Sequence, residues 1–119
     1  MPNEINLNEL FAAISEWQKG VFPDADVYSA MRHLVDEATE VEDAVHHYIN
    51  ILSMYYEGSK EVAAERETLA MELADIIHLC IAVASAANIH LPTALEKKFQ
   101  KNQSRTFTYD PDRGYSKGD

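Results

Sequence analysis

Two acidic pairs, Glu37-x-x-Glu40 and Glu72-x-x-Asp75, each fall inside a stretch of helical periodicity in the 119-residue chain. Taking Leu34 as origin and about 100° per residue, Glu37 lies near 300° and Glu40 near 240°, flanking the stripe of Ala38, Val41 and Val45. Counted the same way from Leu73, Glu72 lies near roughly 260° and Asp75 near roughly 200°. Antiparallel packing of the two helices lets the pairs face each other. Four carboxylates brought that close repel and raise one another's pKa unless divalent cations lie between them. An all-oxygen set with no Cys and no obligatory His suits a hard ion, Mg²⁺ or Mn²⁺, that keeps waters and bridges to phosphate oxygens. One carboxylate then remains free to take a proton from water. Either pair alone is more commonly a solvated face in so acidic a chain. The repeat of the offset on the next helix weighs against that, although spacing by itself leaves the choice open.

The elements that must carry these residues follow from periodicity. Asn6 with Glu9 resembles a capping box, and Leu7, Leu10, Phe11, Ile14 and Trp17 recur up to Gly20, predicting a first helix of about three turns. The stretch from Gly20 to Asp26, with Pro23, breaks it and offers Asp26 as the next N-cap. The 3.6-residue pattern from Val27 to about Tyr55 predicts a long second helix, ended by Glu57-Gly58-Ser59. A third helix runs from near Lys60 to Asn88, which tolerates a left-handed cap. Its second half is apolar nearly all round, so it is either central in its bundle or packed on another subunit. Pro92 opens a short fourth helix to about Gln103. The expectation is an all-α fold, a small bundle of about four helices that oligomerises through helix faces. One domain is expected over residues 1–105, with an irregular C-terminal tail over 106–119, where Pro111, Gly114 and Gly118 interrupt periodicity.

Composition narrows the function classes. A formal net charge of -10 argues against stable nucleic-acid binding through phosphate neutralisation. Cys80 is the only cysteine, so no intramolecular disulfide forms, and in its apolar run it reads as a buried small hydrophobe. Met1-Pro2-Asn3-Glu4 carries no basic region ahead of an apolar core, and no stretch approaches about 18 uninterrupted apolar residues. The expectation is a soluble, cytoplasmic protein without membrane association.

Glu37-Ala-Thr-Glu40 followed by Glu72-Leu-Ala-Asp75 resembles the E-x-x-E … E-x-x-D signature of the MazG-like all-α NTP pyrophosphohydrolases. The resemblance extends from Trp17-Gln18 to Lys101-Asn102-Gln103-Ser104-Arg105. Within the family, Glu-Trp-Gln, His33-Leu34-Val35-x-Glu37 and Ala94-Leu95-x-x-Lys98 are most similar to the MazZ-like dATP/dGTP pyrophosphohydrolases. It implies metal-dependent hydrolysis of a nucleoside triphosphate, a purine dNTP such as dGTP or dATP, to monophosphate and pyrophosphate. It implies Mg²⁺, with Mn²⁺ as a substitute, on Glu37, Glu40, Glu72 and Asp75, with Glu37 and Glu40 also catalytic, in a homodimer or homotetramer. The 31 residues 41–71 between the pairs exceed the family's usual spacing, which bears on substrate details more than on the metal site.

Other side chains offer substrate contacts. Lys98, Lys101, Asn102 and Arg105 follow a helix end and suit phosphate oxygens or a base edge, or simply complement the helix dipole. Trp17 and Gln18 border the first loop, where an aromatic stacks on a base and an amide reads its edge; Trp17 serves equally as core. His33, one turn before Glu37, faces phosphate or bulk water. Three alternatives stand beside the purine enzyme. One is a broad-specificity housecleaning pyrophosphatase. A di-metal bundle, prompted by Asp43-x-x-His46 and Asp75-x-x-His78, is weakened because His78 lies near roughly 140°, away from Glu72. The last is a non-catalytic helical interaction module.

Overall fold

The computed structural model describes residues 6–118. It contains α1 (Leu7–Val21), α2 (Val27–Met54), α3 (Lys60–Ala86), α4 (Leu91–Gln103), β1 (Phe107–Asp110) and β2 (Gly114–Lys117). Two compact units divide the chain, Met1–Ile89 with the three long helices and His90–Asp119 with α4 and the strands.

The first unit is built on an antiparallel α2–α3 pair, against whose second member α1 packs. Each start is fixed by a side-chain cap. Asn6 accepts from the Glu9 amide at 3.1 Å, Asp26 and Ser29 form a reciprocal capping box, and Ser59 accepts from the Val62 amide at 3.2 Å. Ser59 is itself buried, and Val62 beneath it is 0% exposed, so the tight turn between α2 and α3 is anchored in the core. Asn88 takes φ 58°, a left-handed conformation that Asn tolerates, and the Ile89 amide donates back to the Ala84 carbonyl at 2.8 Å to close α3. α1 runs through Gly20 to Val21, one residue beyond the expected stop.

Few apolar side chains are covered. Phe11, Ala30, Val62, Ile81 and Ala84 form the core among the described residues, while Leu73 and Ile77 on α3 remain 49% and 47% exposed. α1 leaves Leu7, Leu10, Trp17 and Val21 open along one side, at intervals of three, seven and four residues. The apolar second half of α3 therefore exceeds what α1 and α2 bury. By length and composition α3 is also apolar enough to cross a membrane, a property that a search for uninterrupted apolar runs misses because Glu72 and Asp75 punctuate it.

The second unit corrects the expectation of an irregular tail. Residues 107–117 form an antiparallel hairpin with Phe107 opposite Lys117 and Tyr109 opposite Tyr115. The turn is made by Pro111-Asp112-Arg113, with Asp110 Oδ1 accepting from the Asp112 amide at 2.9 Å and Gly114 at φ 79°. This is the three-residue hairpin loop with glycine at its left-handed position. The Pro and Gly that break helical periodicity are thus turn residues between two short strands, whose aromatics alternate with polar residues.

Candidate active site

The register of α2 against α3 sets the acidic site. His47 Nδ1 meets Glu65 Oε2 at 3.0 Å, and Arg66 bonds the Glu57 carboxylate and the Tyr48 hydroxyl, fixing the two helices near their turn. From His47–Glu65, seven residues back along α2 and seven forward along α3, about two turns each, bring Glu40 level with Glu72. Glu37, Glu40 and Glu72 accordingly present carboxylate oxygens within 4.8 Å of one another. Glu37 and Glu72 are half-buried, and Glu40 is exposed.

Among the described residues no cation pairs with this cluster. Glu37 Oε1 and Glu72 Oε2 are shielded from solvent and have no hydrogen-bond partner. A proton shared with the Glu72 carboxylate, then burial, then the neighbouring Glu40 push the Glu37 carboxyl up to about 8. Orphaned, shielded acceptors in an all-oxygen set are what a hard divalent cation satisfies, and the residues present fit one. Asp75, one turn beyond Glu72, is exposed and outside the three-carboxylate group. Among the described residues no histidine joins a metal-capable group, so the histidine-based di-metal alternative finds no ligand set. His78 instead contributes its backbone carbonyl, which accepts from Gln18 Nε2 at 2.8 Å.

That bond places Gln18 on the wall of a cavity of about 450 Å³ within the first unit, lined by Ser15, Phe22, Asp26, His33 and Ser85 among others. Because Nε2 is committed to His78, Gln18 Oε1 is left as a shielded acceptor without a donor. His33 lines the same cavity. Trp17 does not; it is 56% exposed rather than core and meets Phe22 edge-on at 6.0 Å between ring centroids. Ser15 and Ser85, hydrogen-bonded at 2.9 Å, are cavity residues that the sequence reading did not single out, although hydroxyls on otherwise apolar helix faces are a usable signal. In the second unit, Lys98 and Lys101 are exposed, while Asn102 and Arg105 are half-buried, with Asn102 Oδ1 and Arg105 Nη1 shielded and unpartnered.

Clustered carboxylates on two antiparallel helices, with no protein cation among them in the described residues, form an all-oxygen group chemically suited to a divalent cation. Residues 26–108 match the MazG nucleotide pyrophosphohydrolase domain, and the chain belongs to that family of nucleoside triphosphate pyrophosphohydrolases. The matched stretch begins at the α2 N-cap and includes all four acidic residues. Among solved structures, the chain is similar to a cyanophage S-2L MazG-like pyrophosphohydrolase bound to dGDP and three catalytic Mn²⁺ ions per active site. Identity is 17%, the TM-score is 0.64, and the match covers 98% of this chain and 100% of that one, a likeness of fold. No curated protein matches the chain.

The raised Glu37 carboxyl has a measurable consequence. In the metal-free protein its folded-state value of about 8 lies above the ordinary 4.5, so the stability it contributes is full below pH 4.5 and is lost as pH rises to about 8. The melting temperature of metal-free protein should fall between pH 5 and 8 more steeply than that of Glu37→Gln, and saturating Mg²⁺ should flatten the fall. Parallel profiles for the two proteins would show that Glu37 does not carry the strain.

Proposed function

We propose that this chain hydrolyses a purine deoxynucleoside triphosphate between its α and β phosphates, releasing monophosphate and pyrophosphate, and that it requires Mg²⁺, with Mn²⁺ as a substitute. The observation that carries the reading is the group of three carboxylates, two of which, Glu37 and Glu72, have shielded, unpartnered oxygens. Glu37, Glu40 and Glu72 would hold the cation, with Asp75 as a fourth ligand from the next turn of α3. When bound, the cation would neutralise charge on the phosphate oxygens and, as a Lewis acid on those oxygens, make the phosphorus more electrophilic. Glu40, the exposed member, is assigned to take the proton from the attacking water as the α–β phosphoanhydride bond breaks and pyrophosphate departs. Glu37 orients the site by keeping its negative charge beside the cation.

The cavity in the first unit suits the nucleoside. Its walls join apolar surface from Phe22, Leu79 and Ala82 to the acceptor Gln18 Oε1, the Ser15 and Ser85 hydroxyls and His33. Such a mixture favours a flat heteroaromatic ring with donors on its edge. Trp17, beside Phe22, is assigned to the mouth of this pocket as a stacking surface. The cations of the second unit, Lys98, Lys101 and Arg105, with the Asn102 amide, are suited to phosphate oxygens. Purine deoxynucleotide preference is supported by the dGDP carried by the cyanophage structure of the same fold. The uncovered faces of α1 and α3 support a homodimer or homotetramer. A soluble cytoplasmic enzyme acting on the free nucleotide pool is the setting this activity requires.

Incubation with a panel of NTPs and dNTPs plus Mg²⁺, read as pyrophosphate release, should give the highest kcat/KM with dGTP or dATP. Glu37→Gln and Glu72→Gln should each lower turnover by about 100-fold or more with helicity unchanged. Absence of pyrophosphate from every nucleotide would overturn the activity; equal rates on dCTP and dTTP would overturn only the purine preference. Light scattering should give two or four times the 13.4 kDa chain mass, and Ile77→Glu should lower it. A monomer at micromolar concentration would refute the oligomer.

A further inference from the structure

The second unit gathers cations without a counter-ion. On α4, Lys98 and Lys101 lie one turn apart, and Arg105 follows about one turn further, just past the C-cap Ser104. The hairpin then returns the chain to the same place. Lys117 pairs with Phe107, two residues after Arg105, and the Gly118 amide donates to the Thr106 carbonyl at 2.6 Å. A Cβ on Gly118 would sit 2.9 Å from that carbonyl oxygen, so glycine is what permits the strand end to close here. Strand alternation puts Lys117 on the face of Phe107, Tyr109 and Tyr115.

Lys98 lies within reach of the other three charges. The Lys98 ammonium is held below its ordinary value chiefly by Arg105, next by Lys117, then by burial and Lys101. Among the described residues the ion pairs are His47–Glu65 and Arg66–Glu57, both in the first unit, so none of these four cations meets a carboxylate. Arg105 Nη1 is shielded with no acceptor. Like charges so placed favour an anion of high charge density, which relieves their repulsion and satisfies the guanidinium.

We propose that Lys117 completes, with Lys98, Lys101 and Arg105, a polyphosphate receptor of the second unit that binds the phosphate chain of a nucleoside triphosphate. The receptor stands on the cation geometry; the identity of its anion rests on the pyrophosphohydrolase reading. Lys117 lies outside the acidic motifs and beyond the last helix, on a strand formed by residues whose spacing breaks helical periodicity. It acts as a point charge, so Arg preserves its role where Ala does not.

Calorimetric titration of the full chain with inorganic tripolyphosphate in EDTA tests the receptor without metal or turnover. Lys117→Ala should weaken binding about tenfold and lower the slope of log affinity against log salt by about one. Lys117→Arg should bind within about twofold of the parent, and Arg113→Ala, in the exposed hairpin turn, should be unchanged. Equal tripolyphosphate affinities for parent and Lys117→Ala, or an equal loss in Arg113→Ala, overturn the proposal even where nucleotide hydrolysis is intact. Loss of binding in Lys117→Ala alone supports the receptor even if the parent hydrolyses no nucleotide, and that result would remove only the assigned anion.

Discussion

Three carboxylates within 4.8 Å of one another are stable only if a proton or a cation relieves their repulsion, and the first unit is arranged around that constraint. The α2–α3 turn, anchored by buried Ser59 and Val62, fixes which residues of the two helices come level. The His47–Glu65 and Arg66–Glu57 pairs lie on the turn side of the acidic group; Arg66–Glu57 is exposed on both partners and His47–Glu65 on its histidine, so each adds little stability on its own. Their value is positional: a shift of the register by one residue would rotate Glu72 away from Glu37. The crowding pushes the Glu37 carboxyl up to about 8, so a cation entering the group would have to displace its proton near neutral pH.

The same helices serve two further purposes. α3 carries the acidic site on one side and, through the His78 carbonyl, orients Gln18 in the neighbouring cavity, so metal ligand and cavity wall share one rigid element. A site on helices is held more tightly than one on loops. The remaining surface of α3 is apolar and open at Leu73 and Ile77, which explains why so long a helix buries so few of its residues within one chain.

Helix positions and the acidic pairs were legible because both depend on local spacing. Capping residues Asn6, Asp26 and Ser59 lie where composition places them, and the left-handed Asn88 ends α3 as its residue type allows. What spacing cannot supply is how two helices slide against each other. Thus Glu37, Glu40 and Glu72 converge, but Asp75, equivalent to them in the periodic pattern, is exposed. Gln18 was legible as a polar residue beside a loop, whereas its bond to a carbonyl sixty residues away was not. The hairpin is hidden from helical periodicity, because Pro111 and Gly114 break that period equally whether they end a helix or turn a chain between alternating aromatics, and Lys117 lies beyond them.

Calorimetric titration of metal-free protein with Mn²⁺ at pH 7, repeated in two buffers of different ionisation enthalpy, counts the protons released per site. With the Glu37 carboxyl pushed up to about 8, saturable binding should release close to one proton, and Glu37→Gln should release none. Absence of saturable binding, or binding with the same proton count in parent and variant, would contradict the account.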